Sequence, residues 1–478
     1  MKSKSRKKLS RFAEFVNTIL PHEARHLKQV QQMQDADNIN ILDKIIHNAE
    51  NINQPGVFDT GIDKRKYSNL KTWIGKKLEA VDADVFFAWL NKLDQKIILD
   101  SLTPGDEEEL IRTIKRFSFP NYYFIRFYEL VQNYRYYLLI RVRYNYRSLT
   151  EAFLEKYREL YQRSKQTNQQ LHEATIDIVD QYATPGKESK QWEEWLVSVF
   201  KDETLDGLNR YYAIVRLTFL YYNYREYDKL ISLYEDLDQM IIRGEIYSRR
   251  ILVNYYANRL MVHSRYNELD KAEYYGYLSI RHRGSDYLQY LNNLCAVLLR
   301  AKKHEAALKL MQDSFTDFRS TISPHNRIGF ASFYLQCLNK TGKAKDAYSY
   351  GKSFLDVNRS DILNHRWHLF FTSLMQTMFL LEKYREMLTL VRKYNLSEKE
   401  AGYRKSAGYI PTFIWYHASA RFMEFEISEQ LLQDILLDSV KSCVDDPHKM
   451  RLLNDLVHEI SRHISFIDNN FIHKFQHK

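Results

Sequence analysis

Residues 342–354 read GKAKDAYSYGKSF, and four stretches of similar pattern recur at a period of about 40 residues. The five stretches are 225–237, 267–279, 302–314, 342–354 and 382–394. Each has a small or apolar pivot residue at the same internal position, and these pivots are Leu230, Ala272, Ala307, Ala347 and Met387. A fixed period of this size is typical of stacked units that each bury one face against the next. The sequence therefore predicts repeated helical hairpins over residues 207–394.

The composition favours helices throughout. The chain has 478 residues with only 14 Gly and 8 Pro, the two residues that most often interrupt helices. No segment alternates cleanly between apolar and polar residues, which is the pattern of a half-buried strand. Hydrophobic residues make up 45 % of the chain, enough for a sizeable core. We predict an all-α protein.

Turn-forming clusters divide the chain. The segment 53–66 carries Pro55, Gly56 and Gly61 and predicts a loop, and the sequence TPG at 184–186 predicts a domain boundary. The resulting division is a basic N-terminal helical segment at 1–52, a helical N-terminal domain at 67–184, helical repeats at 188–444, and a C-terminal capping helix and tail at 446–478.

The repeats resemble the tetratricopeptide-repeat (TPR) family, loosely and over about two fifths of the chain. The family pattern has large apolar, small and aromatic residues on a first helix, then a turn and a small residue on a second helix. The matching residues are Ile214, Leu217, Thr218 and Tyr221 with Tyr227 and Leu230; Leu291, Leu294, Cys295 and Leu298 with Ala307; and Phe371, Leu374 and Met378 with Tyr384. Gly342 supplies a turn glycine in one unit only. The resemblance implies a right-handed α-solenoid that binds a partner protein or peptide and is not an enzyme.

In TPR-like arrays the first helix of each unit lines a concave groove, and this implies a set of partner-binding residues. They are Arg210, Asn254, Asn258, Asn292, Arg300, Gln336, Asn339, Lys340 and Gln376. Amide side chains offer both a donor and an acceptor to a peptide backbone. Lys and Arg side chains bind an acidic side chain or a terminal carboxylate. The alternative interpretation is that these residues face solvent without a ligand.

The N-terminal region contains a match to a zinc-hydrolase motif. Residues 22–26 read HEARH, and on a helix His22 and His26 would share one face while Glu23 activates a zinc-bound water. Pro21 places the motif in the first helical turn, its flank is polar and no third ligand is evident. We favour a solvated helix start over a metal site.

A basic and aromatic segment at 111–149 gives the alternative of nucleic-acid binding. Its candidate phosphate contacts are Arg126, Arg135, Arg141, Arg143 and Arg147. Arginines bind phosphates while aromatic rings stack on bases. The same composition also suits a packed helix whose arginines lie along aromatic faces, and we favour packing.

The remaining features predict an ordinary cytoplasmic protein. The net charge is +10, a modest excess for this length. Cys295, Cys337 and Cys443 are odd in number and far apart, as in a reducing compartment. The sequence contains no apolar run of about 18 residues, so we predict no membrane span. We also expect no cofactor.

Overall fold

The fold is helical throughout. A computed structural model describes residues 9–51, 55–183, 188–404, 409–441, 443–467 and 471. These residues form 24 α-helices and a short 3-10 helix, with no β-strand among them. The all-α prediction is confirmed. Nowhere in the described part of the chain does a helix combine the length and apolar composition that a membrane span requires.

The chain divides into two compact units, residues 1–252 and 253–478. The first contains α1 (Ser10–Val16), α2 (Pro21–Val30), α3 (Ala36–Glu50), α4 (Lys64–Val81), α5 (Ala83–Ile98), α6 (Pro104–Arg116), α7 (Phe124–Ile140), α8 (Arg147–Ala183), α9 (Glu193–Lys201), α10 (Gly207–Tyr224) and α11 (Tyr227–Arg243). The division falls within α12 (Arg249–Arg265). The predicted boundary at 184–186 lies outside the described residues and stays a prediction.

The second unit continues from the remainder of α12. It contains α13 (Leu269–Ser279), α14 (Tyr287–Arg300), α15 (His304–Asp313), α16 (Phe315–Ser320), α17 (Pro324–Lys340), α18 (Ala344–Asn364), α19 (Trp367–Leu380), α20 (Tyr384–Lys393), α21 (Leu396–Tyr403), α22 (Thr412–Met423), α23 (Glu429–Val440) and α24 (Pro447–Ile460). The predicted C-terminal segment is thus helical over α24, while residues 1–8 of the basic N-terminal segment and most of 468–478 lie outside the description.

The hairpin turns share one backbone geometry. A single residue adopts a left-handed conformation in each turn, with φ between 57° and 76°: Arg225, Asn267, Lys302, Gly342, Glu382 and Phe425. The amide after it donates to the carbonyl oxygen five residues earlier at 2.8–2.9 Å, as in the Schellman motif. The turn therefore recurs without glycine in five of these six positions.

The predicted pivots are buried. Leu230, Ala272, Ala307, Ala347 and Met387 each have 0 % of their surface exposed. Two glycines on second helices pack in matching ways, because a Cβ on Gly276 would lie 2.6 Å from Leu294 Cδ1 and one on Gly351 would lie 2.8 Å from Leu374 Cδ1. Each glycine thus allows a second helix to approach the first helix of the following hairpin.

Successive hairpins of the second unit contact one another in chain order. Helix α14 packs against α13 and α17, α17 packs against α18 and α19, and α19 packs against α20 and α22. One hydrophobic cluster contains buried residues from Leu260 to Phe471. This serial packing is what stacked repeats require, and the repeat type itself stays a prediction.

Candidate binding surface

Polar side chains on the first helices of the second unit bind one another across neighbouring hairpins. Asn254 Nδ2 donates to Tyr290 Oη at 3.1 Å, and Asn258 Nδ2 donates to Asn254 Oδ1 at 3.2 Å. Arg300 Nη1 donates to Ser264 Oγ at 2.6 Å. Asn254 and Arg300 therefore connect α12 to α14, and Asn258 binds Asn254 within α12.

The same arrangement recurs between α17 and α19. Gln336 Nε2 donates to Ser373 Oγ at 2.9 Å. Asn339 Nδ2 lies 3.0 Å from Thr377 Oγ1 and 3.3 Å from Gln376 Oε1. Asn339 and Gln376 are buried. Their amides therefore connect α17 to α19 and offer little surface to solvent.

Two further predicted groove residues are buried. Asn292 is 2 % exposed and its Nδ2 donates to the carbonyl of Asn326 at 3.3 Å. Arg210 belongs to the first unit, is 7 % exposed, and its Nε donates to the carbonyl of Phe200 at 3.0 Å. Burial lowers the pKa of Arg210, opposed by the charge of Glu245. We therefore remove Arg210 and Asn292 from the candidate surface.

A carboxylate from α24 occupies one end of this polar face. Glu459 Oε2 accepts from Lys340 Nζ at 2.8 Å and from Gln376 Nε2 at 2.7 Å, and its Oε1 accepts from Tyr416 Oη at 2.6 Å. The three donors come from α17, α19 and α22. Burial, followed by the charge of Glu459, raises the pKa of the Tyr416 phenol, so this group remains a proton donor at neutral pH. Lys340 and Gln376 thus bind an acidic side chain, supplied here by the chain itself.

Sequence reasoning missed the residues that complete this site. Glu459 and Tyr416 are distant in sequence from Lys340, and Arg265 at the end of α12 binds Asp446 at 2.6 Å. One signal was available, because Arg265, Arg300 and Lys340 each stand two residues before the left-handed turn residue of their hairpin. A position that is basic in three successive units indicates a shared role.

The arginines of the basic aromatic segment have acidic neighbours. Arg126 lies 3.1 Å from Glu129, Arg135 lies 4.0 Å and Arg147 2.9 Å from Glu151, Arg143 lies 3.7 Å from Glu107, and Arg141 pairs with Asp100. The rings of Phe124, Phe127 and Tyr134 are buried in the core of the first unit. A phosphate would have to compete with these carboxylates for the arginines. The three rings are too deeply buried to stack on nucleic-acid bases.

The HEARH motif is buried, and the expectation of a solvated helix start was wrong. His22, Glu23 and His26 are 3 %, 1 % and 5 % exposed because α2 packs against α11. His22 Nε2 lies 2.5 Å from Asp238 Oδ1, and His26 Nδ1 lies 2.8 Å from the carbonyl oxygen of Ile242.

Glu23, from the same motif, binds residues that follow α11. Its carboxylate accepts from Tyr247 Oη at 2.7 Å and from Arg249 Nε at 2.9 Å. Burial acts to lower the pKa of Arg249, but hydrogen bonding to Glu23 and the Glu23 charge produce a net upward shift. The motif residues therefore join α2 to the rest of the first unit.

No metal centre emerges from this geometry within the described residues, which contain no group of three or more His, Cys, Asp or Glu side chains placed to hold a metal ion. No protein-family model matches the chain, and no curated protein is significantly similar to it.

Proposed function

We propose that this protein is a non-enzymatic interaction scaffold, a TPR-like array that binds a partner protein or peptide on the first helices of residues 253–478. Repeated helical hairpins create extended surfaces from side chains at equivalent positions, and such surfaces are the usual binding sites of helical repeat proteins. The TPR resemblance and the serial packing of hairpins both support this function.

The observation that carries the proposal is the binding of Glu459. Lys340, Gln376 and Tyr416 converge from three successive first helices on one carboxylate. A cation and two neutral donors around one carboxylate give charge-assisted hydrogen bonds, which are stronger than neutral ones. This face of the array is therefore chemically suited to an acidic ligand.

The test is affinity capture from the native cell with the full chain and two matched variants. The surface variant replaces Asn254, Asn258 and Lys340 with Ala, since these residues keep solvent access. The control variant replaces Lys309, Gln312 and Lys345, exposed residues of second helices, with Ala. We expect the surface variant to lose a partner that the wild type and the control retain. Retention of every specific partner by the surface variant would refute the proposal.

A further inference from the structure

Three successive first helices of the second unit end in a cation at the same repeat position. These residues, Arg265 on α12, Arg300 on α14 and Lys340 on α17, are here called the cationic ladder. Cations at helix C-termini are favoured by the helix dipole, but the dipole does not require them to align in adjacent hairpins. Their alignment creates a row of positive charge along one edge of the array.

Helix α24 and its N-cap residue Asp446 place two carboxylates against this ladder. Asp446 Oδ2 lies 2.6 Å from Arg265 Nη2, and Glu459 Oε2 lies 2.8 Å from Lys340 Nζ. Between them, burial and the charge of Arg451 lower the pKa of Arg300 while the charge of Asp455 opposes that shift. The first and third cations of the ladder therefore pair with carboxylates of one short segment, while Arg300 Nη1 donates to Ser264 Oγ at 2.6 Å.

The spacing of the two sets agrees. Asp446 and Glu459 are 13 positions apart, which corresponds to about 20 Å along a helix. Packed helices lie about 8–10 Å apart, so the two steps from α12 to α17 span about 16–20 Å. A helix with carboxylates at this spacing that crosses the ends of three first helices can thus meet the first and third cations together.

The inner face of α24 is apolar. Leu453, Leu456, Val457 and Ile460 are buried in the hydrophobic cluster of the second unit. They recur at helical spacing, so α24 packs as an amphipathic helix. Beside this stripe lie Glu459, which pairs with Lys340, and Arg451, whose Nη2 donates to the carbonyl oxygen of Arg265 at 3.3 Å. This is the helix-in-groove mode of peptide recognition, carried out within one chain.

We propose that the cationic ladder and the adjoining first helices form a binding site for amphipathic helices that carry carboxylates at the spacing of Asp446 and Glu459, and that α24 is its intramolecular occupant. A partner helix of the same chemistry replaces α24. The inference rests on the proposed scaffold function and names the class of partner.

Replacement is an exchange of similar contacts. Without a carboxylate at the position of Glu459, the buried donors of Gln376 and Tyr416 would lose a partner, which disfavours an empty site. A competing carboxylate restores these hydrogen bonds. The side chains of Arg265 and Lys340 are 22 % and 40 % exposed, so a competing helix can engage the ladder before α24 has left.

The test uses a fluorescent synthetic peptide of residues 444–467, titrated by anisotropy against full-length chains. Glu459→Lys in the chain places a cation beside Lys340 and repels α24 from its site. We expect this chain to bind the peptide at least tenfold more tightly than the wild type. The control chain Asp438→Lys, altered in an exposed pair with Lys441 on α23, should bind like the wild type.

A second variant keeps the test decisive if Glu459→Lys fails to fold. Lys340→Glu alters a side chain that is 40 % exposed and also repels Glu459. This chain should prefer a peptide carrying Glu459→Lys over the natural peptide by at least tenfold, because opposite charges then meet again. Circular dichroism should show wild-type helicity. Folded variants that bind neither peptide better than the wild type does would overturn the inference.

The two proposals fail in different ways. If the variants bind peptide as expected but no cellular partner depends on the array surface, helix exchange stands and the scaffold function is refuted. If a partner depends on the array surface but its capture is equal with wild type, Lys340→Glu and Glu459→Lys, the scaffold function stands and the inference is overturned.

Discussion

At Lys302, between α14 and α15, a residue with a side chain holds a left-handed backbone conformation with φ of 59°. This conformation disfavours any residue with a Cβ by roughly 1–2 kcal/mol, and glycine avoids the clash. Lys302→Gly should therefore raise the free energy of unfolding by about 0.5–1 kcal/mol after the greater entropy of glycine in the unfolded chain is counted. Urea denaturation measures this change.

The control for Lys302 is the equivalent turn between α17 and α18. Gly342 has φ of 76°, so Gly342→Ala should lower the free energy of unfolding by about 1 kcal/mol. Destabilisation by Lys302→Gly would mean that the two turns do not share a backbone conformation.

Gly351 on α18 tests the close approach of helices. A Cβ there would lie 2.8 Å from Leu374 Cδ1 and 3.2 Å from Leu335 Cδ2. Gly351→Ala should destabilise the protein by about 1–3 kcal/mol because the neighbouring leucines must move. Gly75 on α4 is the control, since no described atom outside its local helix backbone lies within 4 Å of a Cβ built there. Thermal unfolding should show a lower Tm for Gly351→Ala and an unchanged or higher one for Gly75→Ala.

His368 and Glu400 oppose one another in their pH dependence. Burial lowers the pKa of His368 to about 4 and raises that of Glu400 to about 7, and His368 Nε2 lies 3.5 Å from Glu400 Oε2. As the pH falls from 7.5 to 5, unfolded histidine binds a proton that buried His368 resists, so its contribution to stability is lost. Over the same pH range Glu400 binds a proton in the folded protein but not in the unfolded chain, so protonation of Glu400 raises the free energy of unfolding.

Each of these contributions amounts to about 2 kcal/mol, so they largely cancel in the wild type. Glu400→Gln should remove the gain and leave the loss at His368. We expect its free energy of unfolding to fall by about 2 kcal/mol more than that of the wild type between pH 7.5 and 5, measured by urea denaturation at both values. Parallel pH profiles for the two proteins would contradict the assigned titrations.

At the scale of elements, α2 is fixed by the residues of the HEARH motif. The Glu23 side chain is fully buried while it binds Arg249, so Glu23→Gln should destabilise the protein by about 3 kcal/mol by leaving Arg249 without its counter-charge. Glu50→Gln, which removes an exposed pair with Arg25, should change stability by under about 1 kcal/mol. A chelator should leave the Tm unchanged; a chelator-sensitive Tm would favour the zinc alternative.

Helix α24 is held firmly in the absence of a competitor. Full burial of an aliphatic side chain contributes about 1.5–3 kcal/mol, and α24 buries Leu453, Leu456, Val457 and Ile460. In the proposed exchange, a competing helix must therefore supply a comparable apolar stripe as well as acidic residues. This requirement separates helical partners from short acidic peptides, which offer charge alone.

The sequence predicted the helices and their buried positions, but it did not predict which side chains contact one another between distant helices. The repeat period identified the pivots, because the position equivalent to Ala347 lies between two packed helices in each hairpin and is therefore small or apolar. Missing glycines did not prevent the turns, because the packing of whole helices outweighs a penalty of about 1–2 kcal/mol at residues such as Lys302. The partner of Lys340 is Glu459, which no local pattern connects to it. Burial of Asn292 likewise depends on neighbours that a single helix does not specify.

At the scale of the whole molecule, the net charge of +10 does not by itself indicate a nucleic-acid site. The five candidate arginines of the basic aromatic segment all have acidic neighbours, and Arg265 and Lys340 pair with Asp446 and Glu459. The nucleic-acid alternative predicts binding that weakens steeply with salt. Absence of binding at low salt would remove it.

The second unit owes its cohesion to serial packing of hairpins and to the helix that lies along their ends. Titration of the labelled 444–467 peptide against the Glu459→Lys chain tests both features together. The peptide can bind only if the first helices are intact and α24 has left the cationic ladder. The account predicts affinity at least ten times that of the wild-type chain. Equal affinities, with helicity preserved, would show that α24 is a permanent part of the core and not the occupant of a binding site.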